Sequence, residues 1–196
     1  MMFYRFARGL CNIFYALFFR LRVIGRENIP EEGGVLLCSN HISNFDPPTV
    51  GIRLKRQVHF MAKAELFQIP VLGPIINKLG AFPVKRGGVS KESIKGAISL
   101  LRDGHVLGIF PEGTRNNPGG IGKKGAAMFA LKSGAAVIPA AIIGDYRLFR
   151  RMTVVYGKPV DLTSFTESGS PDLEQVTEHI MQAIQALADE YRNKVA

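Results

Sequence analysis

The chain reads as a single α/β domain with a mainly parallel or mixed central sheet flanked by helices, plus an amphipathic helix at the amino terminus. Three observations predict this. Apolar, β-leaning runs recur at residues 34–38, 58–62, 81–84, 106–110, 137–143 and 153–156. Segments with helical spacing lie between them, and that alternation favours a layered sheet with parallel neighbours. A length of 196 residues suits one domain with a substantial core, and no repeat, low-complexity tract or linker divides it. The one internal boundary follows the amino-terminal segment: residues 1–25 form a helical appendage and residues 26–196 the α/β domain.

In the appendage, Phe3, Phe6, Leu10, Phe14, Leu17 and Leu21 follow the three–four spacing of one helix face, widened by Ile13 and Phe18. Arg5, Arg8, Arg20, Arg22 and Arg26 are the only charges before Glu27. The uncharged stretch 9–19 has eleven residues, about half of the roughly 20 that a bilayer span requires. It ends on Arg20 with no small-residue cleavage site, unlike a secretory signal. Two arrangements suit such a helix. Either its apolar side chains dip into lipid while the arginines meet anionic headgroups, or its apolar face packs on the domain core. The arginine pattern favours the first, a peripheral, monotopic membrane anchor.

In the body, the clearest helix covers 90–101. Ser90 caps it, Ile94, Ala97, Ile98 and Leu101 share one face, and Asp103-Gly104 closes it. The last helix is expected to start at Ser170-Pro171, with proline at its first position. It should bury Leu173, Val176, Ile180, Ile184, Leu187 and Tyr191.

Hydrophobic residues at 46% and charged residues at 21% exclude a disordered, collagen-like or disulfide-scaffold chain. Two cysteines, Cys11 and Cys38, are too few for a disulfide framework, so a reducing compartment is expected, which puts the anchor on the cytoplasmic face of the cell membrane. The net charge of +9 points to an anionic partner: nucleic acid, a phosphorylated substrate or a lipid surface. That charge is unevenly spread. Residues 161–196 carry seven acidic side chains against two basic ones, a net of −5, which leaves +14 in residues 1–160. No recognised nucleic-acid motif appears, and the arginines cluster with an aromatic-aliphatic helix, which favours lipid over RNA or DNA.

In open α/β sheets, sites form beyond the carboxyl ends of the strands. Three polar loops fall there: Ser39-Asn40-His41-Ile42-Ser43-Asn44-Phe45-Asp46-Pro47 after 34–38, Lys63 and Glu65 after 58–62, and Pro111-Glu112-Gly113-Thr114-Arg115 after 106–110. His41 and Asp46 are five positions apart. On a helix that is about 140° of rotation and the side chains cannot meet, whereas in a turn they can. A carboxylate on one imidazole nitrogen fixes the tautomer and leaves the other free to take a proton. The alternative is that Asp46 caps a helix beginning at Pro47-Pro48 and His41 is an ordinary loop residue.

No Gly-x-Ser-x-Gly elbow accompanies the pair, so it suits activation of a substrate hydroxyl better than of an enzyme nucleophile. His41, Asp46, His59 and His105 lack metal-ligand spacing, and no metal is expected. Gly113, Arg115, Lys63 and Arg86 offer donors and positive charge for a phosphate or an oxyanion. Gly120-Ile-Gly122-Lys-Lys-Gly125 matches a dinucleotide fingerprint, but nine polar or turn-prone residues separate it from the preceding strand.

Taken together, these residues resemble the 1-acylglycerol-3-phosphate (lysophosphatidate) acyltransferases. Asn40-His41-Ile42-Ser43-Asn44-Phe45-Asp46 is similar to the family's His-x4-Asp block, and Gly80-Ala-Phe-Pro-Val-Lys-Arg86 to its second. Phe110-Pro-Glu-Gly-Thr-Arg115 resembles the third and Val137-Ile-Pro-Ala-Ala-Ile142 the fourth. Ile42, Lys85 and Asn116 depart from common family residues and bear on substrate preference. The resemblance implies acyl transfer from a thioester, either acyl-CoA or acyl carrier protein, to the 2-hydroxyl of lysophosphatidic acid. It implies His41 as general base, Asp46 as its orienting partner, and Lys63, Arg86, Glu112, Gly113, Thr114 and Arg115 around the acceptor phosphate. No metal or bound redox cofactor is implied. The alternatives are acylation of another lysophospholipid or of glycerol 3-phosphate, or a basic membrane-surface module without catalysis.

Overall fold

The structure is a computed structural model that describes residues 2–84, 90–112, 122–167, 169 and 171–195, with no side-chain description at 122, 123 and 195. Among the described residues, seven strands form one sheet: β1 (Arg22–Ile24), β2 (Val35–Ser39), β3 (Val58–Lys63), β4 (Phe82–Val84), β5 (Val106–Ile109), β6 (Ala136–Ile143) and β7 (Thr153–Tyr156). Their order is β1-β7-β6-β2-β5-β3-β4. The run from β6 to β4 is parallel, β7 is antiparallel to β6, and β1 is parallel to β7. The sheet is therefore mixed, with its five parallel strands together. The helices are α1 (Met2–Phe18), α2 (Asp46–Gly51), α3 (Leu72–Lys78), α4 (Lys91–Arg102), α5 (Gly122–Ser133), α6 (Thr163–Glu167) and α7 (Leu173–Val195).

Parallel central strands are covered on both faces, so they read as unbroken apolar runs instead of alternating ones. Every residue of β2 is buried. Val35 and Leu37 face one layer, with Tyr15, Phe19, Val50, Ile52 and Leu54. Leu36 and Cys38 face the other, with Leu101 of α4, Phe129 of α5, and Val176 and Ile180 of α7. The expected boundaries of α4 hold for the expected reason. The Ser90 hydroxyl accepts from the Ser93 amide at 3.1 Å, and Gly104 takes the left-handed conformation, at φ 82°, that ends the helix.

Two sequence expectations are corrected. Pro171 is not the first residue of α7. The Asp172 carbonyl accepts from the Val176 amide and its side chain from the Glu174 amide, so Asp172 is the cap and Pro171 precedes it. Ser170 lies outside the described residues. The appendage drawn at 1–25 also runs too far, because residues 22–24 form β1 and pair with β7. A three-residue edge strand carries too little periodicity to be read from sequence.

Helix α1 packs on the domain by its narrower, more polar side. Arg8 donates to the Leu54 carbonyl at 2.7 Å, Asn12 to that of Ile52 at 3.2 Å, and the Tyr15 hydroxyl to that of Phe45 at 2.9 Å. Phe6, Leu10, Ile13 and Leu17, on the stripe marked by the spacing, are between 60% and 69% exposed. Neither arrangement read from sequence describes this alone. The helix is docked on the core, and its apolar face points away from it. Among the described residues, no helix is long and apolar enough to cross a membrane.

Candidate active site

The loop after β2 is pinned before it turns. Asn40 accepts from the Ile142 amide at 2.7 Å and donates to the Ile142 carbonyl at 3.1 Å, which ties the loop to neighbouring β6. Residues 40–43 then run as irregular chain into α2, which begins at Asp46. The helix that the alternative reading placed at Pro47 does exist, one residue earlier. The Asp46 carboxylate does not cap it, however, but folds back over residues 41–43.

Asp46 Oδ2 accepts from His41 Nδ1 at 2.6 Å, from the Ile42 amide at 2.6 Å and from the Ser43 amide at 2.7 Å. Oδ1 accepts from the Tyr146 hydroxyl at 2.7 Å. The Asp46 side chain is fully buried and that of His41 is 18% exposed. A carboxylate facing four donors has only acceptor roles left, so Nδ1 of His41 carries the proton and Nε2 is the basic nitrogen. Tyr146 also lies 2.7 Å from Thr49 Oγ1, which donates to the Phe45 carbonyl at 2.7 Å and sits 3.1 Å from the Tyr15 hydroxyl. A polar chain thus runs from α1 to Asp46. Burial pushes the hydroxyl pKa of both Tyr146 and Tyr15 up, reinforced by the Asp46 charge, so each stays a neutral donor. Burial likewise raises the thiol pKa of Cys11 and Cys38, which disfavours either as a nucleophile.

Because β2, β5 and β3 are adjacent and parallel, their carboxyl ends share one edge. The His41 ring stacks on Phe110 at 4.3 Å and 19°, and Phe110 faces Phe60 of β3 at 6.1 Å and 13°. This row of rings joins the three loop origins. It rests on Gly108, where an added Cβ would overlap the Phe60 ring at Cε1, well inside van der Waals contact. Gly108→Ala is therefore expected to destabilise the fold by about 1–3 kcal/mol and to lower turnover by displacing Phe60 and the rings stacked beyond it. Thermal unfolding with steady-state rates checks this, and native values for both would show that the row does not seat His41.

Lys63 is exposed at the end of β3, and Glu112 is partly buried just beyond β5. Arg86, Gly113, Thr114 and Arg115 lie outside the described residues, as do Gly120 and Ile121 of the Gly120–Gly125 fingerprint, whose last four residues open α5. Among the described residues, no group of three or more His, Cys, Asp or Glu side chains is placed to hold a metal ion. Sequence reasoning missed Tyr146, Thr49 and Tyr15. Tyr146 follows β6, the other neighbour of β2, and the rule that selected the three loops applies to that strand end as well.

A family profile described as Acyltransferase matches residues 20–143. The chain is 34% identical over 191 residues to 1-acyl-sn-glycerol-3-phosphate acyltransferase of Bacillus subtilis, a match covering 94% of this chain and 96% of that one. The chain belongs to the 1-acyl-sn-glycerol-3-phosphate acyltransferase family. A family member of the same name from Borreliella burgdorferi is 33% identical over 135 residues, covering 66% of this chain and 54% of its own. Among solved acyltransferases, the 1-acyl-sn-glycerophosphate (LPA) acyltransferase PlsC of Thermotoga maritima superposes with a TM-score of 0.68 at 26% identity, over 88% of this chain and 72% of that one. The α/β fold with its mixed sheet accords with this membership.

Proposed function

We propose that the chain transfers a fatty acyl group from an acyl thioester, acyl-CoA or acyl carrier protein, to the sn-2 hydroxyl of lysophosphatidic acid, giving phosphatidic acid. The observation that carries this reading is the 2.6 Å contact between His41 Nδ1 and a buried, fully hydrogen-bonded Asp46, which makes Nε2 the nitrogen that can take a proton. The relatives' names supply the acceptor class. In the reaction, Nε2 of His41 takes the proton of the 2-hydroxyl, and the oxygen attacks the thioester carbonyl carbon. The tetrahedral intermediate collapses, the C–S bond breaks, and the departing sulfur receives the proton from the imidazolium. Asp46 holds the ring and stabilises the imidazolium. No acyl-enzyme is formed, and no metal or redox cofactor enters.

Lys63, Arg86 and Arg115 are the residues we assign to the acceptor phosphate, with Glu112, Gly113 and Thr114 shaping that side. The outward apolar face of α1, with exposed Arg5, Arg20 and Arg22, fits a peripheral, monotopic seat on the anionic cytoplasmic face of the cell membrane.

A panel crossing lysophosphatidic acid, neutral lysophospholipids and glycerol 3-phosphate with both donor types tests the assignment. Lysophosphatidic acid is expected to give kcat/KM at least about tenfold above the other acceptors, since an acceptor without the phosphate monoester forgoes its charge-assisted hydrogen bonds to Lys63, Arg86 and Arg115. A higher value for glycerol 3-phosphate or a neutral lysolipid would overturn the acceptor, and no transfer to any would leave a binding module.

A further inference from the structure

Tyr146 touches the site, but the residues after it do not. Residues 147–151 read Arg-Leu-Phe-Arg-Arg, and all five are exposed. Leu148 and Phe149 are 62% and 63% exposed, and the nearby carboxylate, Asp145, sits 3.9 Å from Arg147 Nε. Phe149 has φ 65°, the left-handed region that glycine or asparagine normally fills. The turn thus holds a bulky ring out in water where a small residue would be easier to place. It is also tied down. The Phe149 amide donates to the Phe18 carbonyl at 2.6 Å, and the Met152 amide to that of Phe19 at 2.9 Å.

The rings continue the contact. Phe149 lies 6.1 Å from Phe18, and Phe18 lies 4.9 Å from Phe14, so the apolar pair extends the exposed stripe of α1 past its carboxyl end. Two exposed apolar side chains bracketed by three arginines match an interface that is apolar beneath and anionic above. A second copy of the chain would bring its own +9 and repel, whereas an anionic bilayer satisfies both the apolar and the cationic groups.

We propose that residues 147–151 form a second lipid contact, with Leu148 and Phe149 entering the acyl region and Arg147, Arg150 and Arg151 meeting anionic headgroups. This rests on the reading of α1 as an interfacial anchor. The contact begins one residue after Tyr146, so the bilayer seat and the group holding Asp46 belong to one short segment.

The sequence contains no tryptophan, so Phe149→Trp gives an indole that reports alone. With phosphatidylglycerol vesicles its emission is expected to shift to the blue and to be quenched by brominated acyl chains, and with phosphatidylcholine vesicles much less. Leu148→Ser/Phe149→Ser is expected to bind phosphatidylglycerol vesicles about tenfold more weakly in co-pelleting. An unshifted, unquenched indole in a protein that still pellets would overturn the loop contact and leave the α1 anchor standing. Full pelleting by Phe6→Ser/Leu10→Ser with a quenched indole would overturn the anchor and keep the loop. A blue shift without lipid that grows with protein concentration would assign the patch to a second copy and overturn the proposal.

Discussion

Replacing His41 with alanine is expected to lower kcat by about 10²–10⁴-fold, the usual contribution of a positioned general base, with little change in KM. The fold should survive. The ring packs on Phe110 at the edge of the sheet and is not part of the core. Asp46 keeps three of its four donors without it, namely the Ile42 amide, the Ser43 amide and the Tyr146 hydroxyl. No buried charge is left bare, so the thermal midpoint should shift by only a few degrees, in keeping with a loss of about 1 kcal/mol. Steady-state kinetics on vesicle-bound protein, with a melt by circular dichroism, check both halves. Turnover near the native rate in a folded variant would remove His41 from the mechanism.

What the sequence revealed follows from where each feature gets its energy. Strands β2 and β6 are buried on both faces and read plainly as apolar runs. Helix α2 has six residues with Pro47 and Pro48 among them, too short for a periodic signal. The apolar stripe of α1 was legible, but the side that docks was not. Arg8, Asn12 and Tyr15 dock on main-chain carbonyls of Leu54, Ile52 and Phe45, and any residue at those positions offers a carbonyl. The His41–Asp46 pair was visible because both members sit in one turn. Tyr146 is separated from Asp46 by 100 positions, and no spacing rule reaches that far. A deletion of residues 1–20, which an appendage would tolerate, would here remove Tyr15 and Phe19 from the core. Substitutions on the exposed face of α1 are therefore the cleaner probe of lipid binding.

Asp46→Asn is expected to lower kcat by roughly 10²-fold or more while keeping the fold and the imidazole tautomer. Three donors, the Ile42 and Ser43 amides and His41 Nδ1, converge on Oδ2, so the new amide must place its oxygen there. Its NH₂ then falls where Oδ1 was and meets the Tyr146 hydroxyl, which can turn its proton to Thr49 Oγ1, 2.7 Å away, and accept instead. Each polar group keeps a partner, and Nδ1 stays the protonated nitrogen. Only the negative charge is lost, and with it the charge-assisted hydrogen bond that stabilises the imidazolium. Asp46→Ala differs because it strands the Ile42 and Ser43 amides, at about 1–3 kcal/mol for each that stays dry, and should lose stability as well as rate. Imidazole nitrogen shifts, melting curves and turnover of the two variants separate charge from scaffolding. Residues that act as a unit are not additive, so His41→Ala/Asp46→Asn should be no slower than His41→Ala alone. A further large drop in the double variant would mean that Asp46 acts on the reaction independently of His41.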